Sequence, residues 1–72
     1  METITNSFSE RLKELRIEKN LSQRELSKLV GYSQPAIARW EKNLQIPNID
    51  VLIVFAKFFN VSTDYLLGLV DY

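Results

Sequence analysis

Ser33, Gln34, Pro35 and Ala36 run together, and Arg39 follows five positions after Gln34. Pro35 and Ala36 are short, so a helix that carries them approaches a base edge closely. A Gln amide donates and accepts in one plane, the geometry that reads adenine in the major groove. Arg39 lies about one and a half turns on, in reach of guanine or a phosphate. The helix N-terminus adds partial positive charge toward phosphate. Gln34, Pro35, Ala36 and Arg39 are therefore the expected base contacts. A lone surface Gln in a solvated first turn would support no such reading; the grouping does.

Gln23 starts a second candidate helix. Its backbone N–H and side chain are suited to clamp a phosphate, and the side chain to brace Gln34 across the turn. Ser33, Arg11, Arg24, Lys28 and Lys42 complete the expected phosphate contacts, although charges on helices are often only a solvated face. Lys13 and Lys19 are assigned to that face. Arg16 follows Leu12 by four residues and Glu41 follows Trp40. They are expected to pair half-buried and lock the first helix onto the third; the bland alternative is two unrelated surface charges. Trp40, at i+3 from Ile37, is expected in the core and not as a stacking platform.

The chain has 72 residues, with nine Lys and Arg against nine Asp and Glu and a formal net charge of zero. Neutrality argues against a polyanion partner, but the charge is unevenly spread. Residues 9–44 hold eight basic and five acidic side chains; the remainder holds Lys57 against Glu2, Asp50, Asp64 and Asp71. Local field, not net charge, steers a polyanion. The chain has no His and no Cys, which excludes a disulfide framework, a Cys/His zinc site and His or Cys catalysis. A Gly-rich phosphate loop is also absent. No enzyme activity, metal or cofactor is expected. The longest apolar run, Val51–Ala56, is far short of the roughly 18 residues a membrane span needs. Residues 1–7 show no basic or apolar signal region, so no signal peptide and no membrane role are expected.

Helices must position these groups. Apolar spacing is helical over most of the chain, and only two Gly and two Pro occur. Ser7 with Glu10 reads as a capping box that opens the first helix at about Phe8. That helix runs to Glu18 with Phe8, Leu12 and Leu15 inward. Ser22 with Glu25 is a second capping box, opening a helix from Gln23 to Val30 with Leu26, Leu29 and Val30 inward and Gly31 at its end. Ser33 caps the third, about Gln34 to Lys42, with Pro35 in the first turn and Ala36, Ile37 and Trp40 inward. Asn48 caps the fourth, about Ile49 to Phe59, with Leu52, Phe55, Ala56 and Phe59 inward. Ser62 caps a short fifth helix, Thr63 to Leu67, stopped by Gly68. Asn20, Asn43 and Asn60 stand where positive φ ends a helix. The division is a 1–7 N-terminal arm, an 8–68 all-α five-helix bundle and a 69–72 tail. The second and third helices form a helix-turn-helix unit, although any small bundle contains a similar hairpin.

Apolar residues remain after the core is filled. Val51, Val54 and Phe58 would form a second stripe on the fourth helix, and Ile46, Leu69, Val70 and Tyr72 add to it. A patch of this kind marks a partner surface. A homodimer interface through Val51, Val54, Phe58, Leu69, Val70 and Tyr72 is expected.

The run from Leu21 to Glu41 resembles the helix-turn-helix of phage lambda-repressor and Cro-type regulators, the XRE family. Phe8, Leu12, Leu15 and Arg16 before it match the family too. So do Pro47, Leu52, Ala56, Val61, Ser62 and Asp64 to Gly68 after it. The resemblance covers about residues 8 to 68. It implies an all-α, lambda-repressor-like domain that binds operator DNA as a dimer, with the third helix in the major groove. By position, Gln23 matches the family's phosphate-clamping Gln, and Arg16 with Glu41 the ion pair of phage repressors. Three features depart from the pattern. Asn43 stands where Gly is usual, Leu44 where a basic residue is common, and Pro35 removes an N–H from the recognition helix. The expectation is a small cytoplasmic regulator, bacterial or phage-encoded, that represses by occupying a pseudo-palindromic operator as a homodimer. The alternative is an antitoxin or other interaction module of the same fold, with a small protein partner on the apolar stripe.

Overall fold

Serine and asparagine caps start four of the five helices. The structure is a computed structural model that describes residues 4–71, with side chains from residue 7. The elements are α1 (Ile4–Glu18), α2 (Gln23–Val30), α3 (Gln34–Glu41), α4 (Ile49–Phe59) and α5 (Thr63–Leu66). Ser22 Oγ accepts the Glu25 N–H at 3.0 Å, and the Glu25 carboxylate accepts the Ser22 N–H at 2.8 Å. Ser33, Asn48 and Ser62 accept from Ala36, Val51 and Tyr65 in the same way. Each bond satisfies a donor the helix itself leaves orphaned.

The helix ends share one chemistry. Asn20, Asn43 and Asn60 adopt positive φ of 58°, 60° and 56°. After each, the next N–H returns to a carbonyl five residues back: Leu21 to Arg16, Leu44 to Arg39, Val61 to Ala56. This is the Schellman closure, and Asn supplies it because its short amide tolerates the left-handed region. Asn43 therefore makes a left-handed turn without a glycine. Gly68 closes α5 likewise, with Leu69 N–H on Asp64 O at 2.9 Å.

The core holds Phe8 and Leu12 of α1, Leu26 of α2, Ile37 and Trp40 of α3, Val51, Phe55, Ala56 and Phe59 of α4, and Leu66 of α5. Phe55 lies at its centre. Its ring meets Trp40 edge-on at 5.8 Å and lies near Phe8, Tyr32 and Phe59. Trp40 is buried as expected. α3 packs on both α1 and α2, so the core and the turn together fix its direction.

Several expectations are corrected. α1 starts at Ile4, not Phe8, and Ser7 lies in its first turn. On α4, Val51 is buried and Leu52 only partly so, which removes Val51 from the expected outer stripe. Leu29 of α2 is exposed instead of inward. The third helix ends at Glu41, with Lys42 as its C-cap, and the fifth at Leu66.

Candidate nucleic-acid interface

Ile37 and Trp40 pull one face of α3 into the core. The same pull leaves Ser33, Gln34, Pro35, Arg39 and Lys42 exposed and Ala36 half-buried. The Ser33 hydroxyl oxygen caps the helix, and its O–H is still able to donate outward. Arg24 and Lys28 of α2 are exposed as well.

Gln34 is not a loose side chain. Its Nε2 donates to Gln23 Oε1 at 2.8 Å, the brace across the turn expected from sequence. Gln23 Nε2 in turn donates to Glu41 Oε1 at 3.0 Å. Glu41 is gripped by Arg16, with Nε to Oε2 at 2.6 Å and Nη2 to Oε1 at 3.0 Å. Arg16 Nη1 also donates to Leu21 O at 2.8 Å. The Glu41 side chain is 3% exposed and that of Arg16 13%. The hydrogen bond to Glu41 raises the Arg16 pKa above its ordinary value, against the lowering effect of burial. One chain of bonds thus runs from α1, through the end of α3 and the start of α2, to the first residue of α3.

Arg39 donates from Nε to Gln45 Oε1 at 2.9 Å. Gln45 lies in the loop after α3, and no local pattern in the sequence marks it. Arg11, expected on phosphate, is turned elsewhere. Its Nη1 donates to Tyr65 O at 3.0 Å and Val70 O at 2.9 Å, and its guanidinium lies 4.1 Å from the Tyr65 ring centroid. It ties α1 to the C-terminal segment, with Asp71 at 3.9 Å.

Of the residues expected at a dimer interface, Val54, Phe58 and Val70 are half-buried and Leu69 is exposed. Phe58 packs edge-on against Phe59 at 4.9 Å. Tyr72 lies outside the described residues. The most exposed apolar side chains are Leu44, Ile46 and Ile49, 71–74% exposed, followed by Leu69, Leu29, Ile17 and Ile53. Ile49 and Ile53 share one face of α4, one turn apart. Among the described residues no helix is long and apolar enough to cross a membrane.

The arrangement is that of a five-helix, lambda-repressor-type domain with an exposed third helix. Comparison with known proteins agrees. A helix-turn-helix family model matches residues 12–66. The HTH-type transcriptional activator BcrR of Enterococcus faecalis is 42% identical over 61 residues, covering 85% of this chain and 30% of that protein. Repressor protein C2 of Salmonella phage P22 is 36% identical over 63 residues, covering 88% and 29%. The solution structure of the SOS-response transcriptional repressor LexA from Eubacterium rectale superposes with a TM-score of 0.80 at 26% identity. It covers 93% of this chain and 73% of that one. The chain belongs to the helix-turn-helix family of the XRE type. It spans less than a third of the length of BcrR and of C2.

Proposed function

We propose that this chain binds double-stranded DNA sequence-specifically and regulates transcription, repressing by occupying a pseudo-palindromic operator in a bacterial cytoplasm. α3 enters the major groove with Gln34, Pro35, Ala36 and Arg39 at base edges. Gln23, Ser33, Arg24, Lys28 and Lys42 hold phosphates. The observation that carries this reading is the bracing of Gln34. A residue at the open start of α3 is held by Gln23, which is itself anchored on a buried ion pair. A purely structural surface Gln needs no such support. The family membership supports the same reading.

The working form is a homodimer. The exposed Leu44, Ile46, Ile49 and Ile53 support it, because a patch of this kind favours a partner. The loop that carries Leu44 and Ile46 directly follows α3. A twofold contact there would bring two copies of α3 side by side, as half-sites about 34–36 Å apart require.

The test is selection from a random duplex library at two salt concentrations. An enriched inverted repeat with half-sites one helical turn apart supports the proposal. Binding without enrichment, falling steeply with salt, would reduce it to phosphate attraction. Sedimentation of Ile49→Asp addresses the dimer: the variant is expected to be monomeric where the parent is not. A parent that stays monomeric on and off DNA would leave the patch to a different protein partner.

A further inference from the structure

We propose that the outer face of α4 is self-complementary and packs antiparallel on α4 of a second copy of this chain, with Asp50 of each copy on Lys57 of the other and the two Ile53 side chains at the twofold axis. The inference rests on the homodimer reading above and adds the helix, its direction and the residues that set the register.

Burial of Val51, Phe55, Ala56 and Phe59 turns the opposite side of α4 outward. Asp50, Ile53 and Lys57 stand on that side at i, i+3 and i+7, all exposed, with exposed Ile49 one turn before Ile53. Among the described residues, neither Asp50 nor Lys57 forms a salt bridge within the chain. The helix dipole accounts for the signs of the two charges, an acid in the first turn and a base in the last. It does not account for the isoleucines left in water beside them.

Symmetry decides the direction. A twofold contact brings the same patch of both copies together. Parallel pairing would set Asp50 on Asp50 and Lys57 on Lys57, two repulsions. Antiparallel pairing about Ile53, three residues after Asp50 and four before Lys57, sets an acid on a base twice. The two charges lie seven residues apart, about 10 Å along the helix axis. A slip of one turn, about 5.4 Å, would therefore take each charge off its partner. Apolar contact supplies the affinity, and the exposed ion pairs, each weak, supply register and direction.

The test is sedimentation of charge-reversed chains, off DNA and on the selected duplex, with thermal melting as the check on folding. Asp50→Lys and Lys57→Asp each turn two attractions into two repulsions and are expected to weaken dimerisation roughly 10- to 100-fold. An equimolar mixture of these two variants is expected to recover the parental affinity as a heterodimer, because one copy then carries bases at both positions and the other acids. The double variant, Asp50→Lys with Lys57→Asp, is expected to dimerise like the parent even though both of its charges oppose the helix dipole and lower its melting temperature. Single variants that dimerise like the parent would overturn the register and leave the homodimer standing. A double variant as weak as the single ones would also overturn it and assign both charges to helix stability. A parent that is monomeric on and off DNA would overturn the homodimer reading itself, and the register with it.

Discussion

Arg16 and Glu41 join α1 to the end of α3 through two hydrogen bonds of 2.6 and 3.0 Å, with Glu41 almost out of contact with water. Removing one partner strands a buried charge. Arg16→Ala is expected to lower stability by about 3–5 kcal/mol in urea denaturation. The paired replacement Arg16→Met with Glu41→Leu is expected to lose much less, because no charge is then left alone. A single-variant loss below about 1 kcal/mol would mean that water reaches Glu41.

Arg11 ties α1 to the C-terminal segment through Tyr65 and Val70. Arg11→Ala loses two hydrogen bonds to carbonyls and the contact with the Tyr65 ring. It is expected to cost about 1–3 kcal/mol in thermal or urea unfolding. The salt dependence of DNA binding should stay unchanged. Arg24→Ala and Lys28→Ala should do the reverse, each lowering the salt slope by about 0.9 at little cost to stability.

Gly68 and Gly31 both adopt left-handed backbone, at φ of 79° and 84°. Their surroundings differ. A Cβ on Gly68 would lie 2.5 Å from Ser7 Oγ and 2.6 Å from Ser7 Cβ, whereas one on Gly31 would meet nothing within 4 Å. Gly31→Ala should cost about 1 kcal/mol of backbone strain. Gly68→Ala should cost clearly more, because α1 and the end of α5 must separate as well. Equal melting temperatures for the two variants would show that Ser7 yields freely.

The capping box at α2 carries a pH signature. Hydrogen bonds from the backbone N–H and the side chain of Ser22 lower the Glu25 pKa below its ordinary value. A depressed folded pKa gives stability that is present above the unfolded value and lost as pH falls through the folded one. Glu25→Gln should therefore flatten the acid side of the stability curve of α2, read by amide exchange along Gln23–Val30. An unchanged acid limb would separate the cap from helix stability.

Most of the fold was legible in local patterns, because caps and left-handed stops are local chemistry. Ser22, Ser33, Asn48 and Ser62 start helices, and Asn20, Asn43 and Asn60 end them, where the sequence places them. The brace from Gln23 to Gln34 and the pair of Arg16 with Glu41 were also legible. The misses have physical reasons. Val51–Ala56 is apolar throughout, so within α4 only Asp50 and Lys57, near its ends, mark the phase, and Val51 is buried while Leu52 packs against the core only in part. The partners of Arg11 lie 54 and 59 residues away, beyond any local signal. Ser7 with Glu10 has the spacing of a cap, but the helix already starts at Ile4. The bond from Gln23 to Glu41 joins residues 18 apart and depends on how α2 meets α3.

Arg39 tests sequence reading from the far side of α3. Arg39→Ala breaks only an exposed bond to Gln45. It should leave melting unchanged while weakening specific binding by about 1–3 kcal/mol. The same site preference in the variant would remove Arg39 from the readout.

The presentation of α3 to DNA is tested most directly by titrating the isotope-labelled chain with its selected duplex and following the amide resonances. The largest shifts are expected at Gln23, Gln34, Ala36 and Arg39, with the side-chain amide of Gln34 among them. Shifts confined to Leu44–Ile53 or to the C-terminal segment, with the start of α3 silent, would contradict the account.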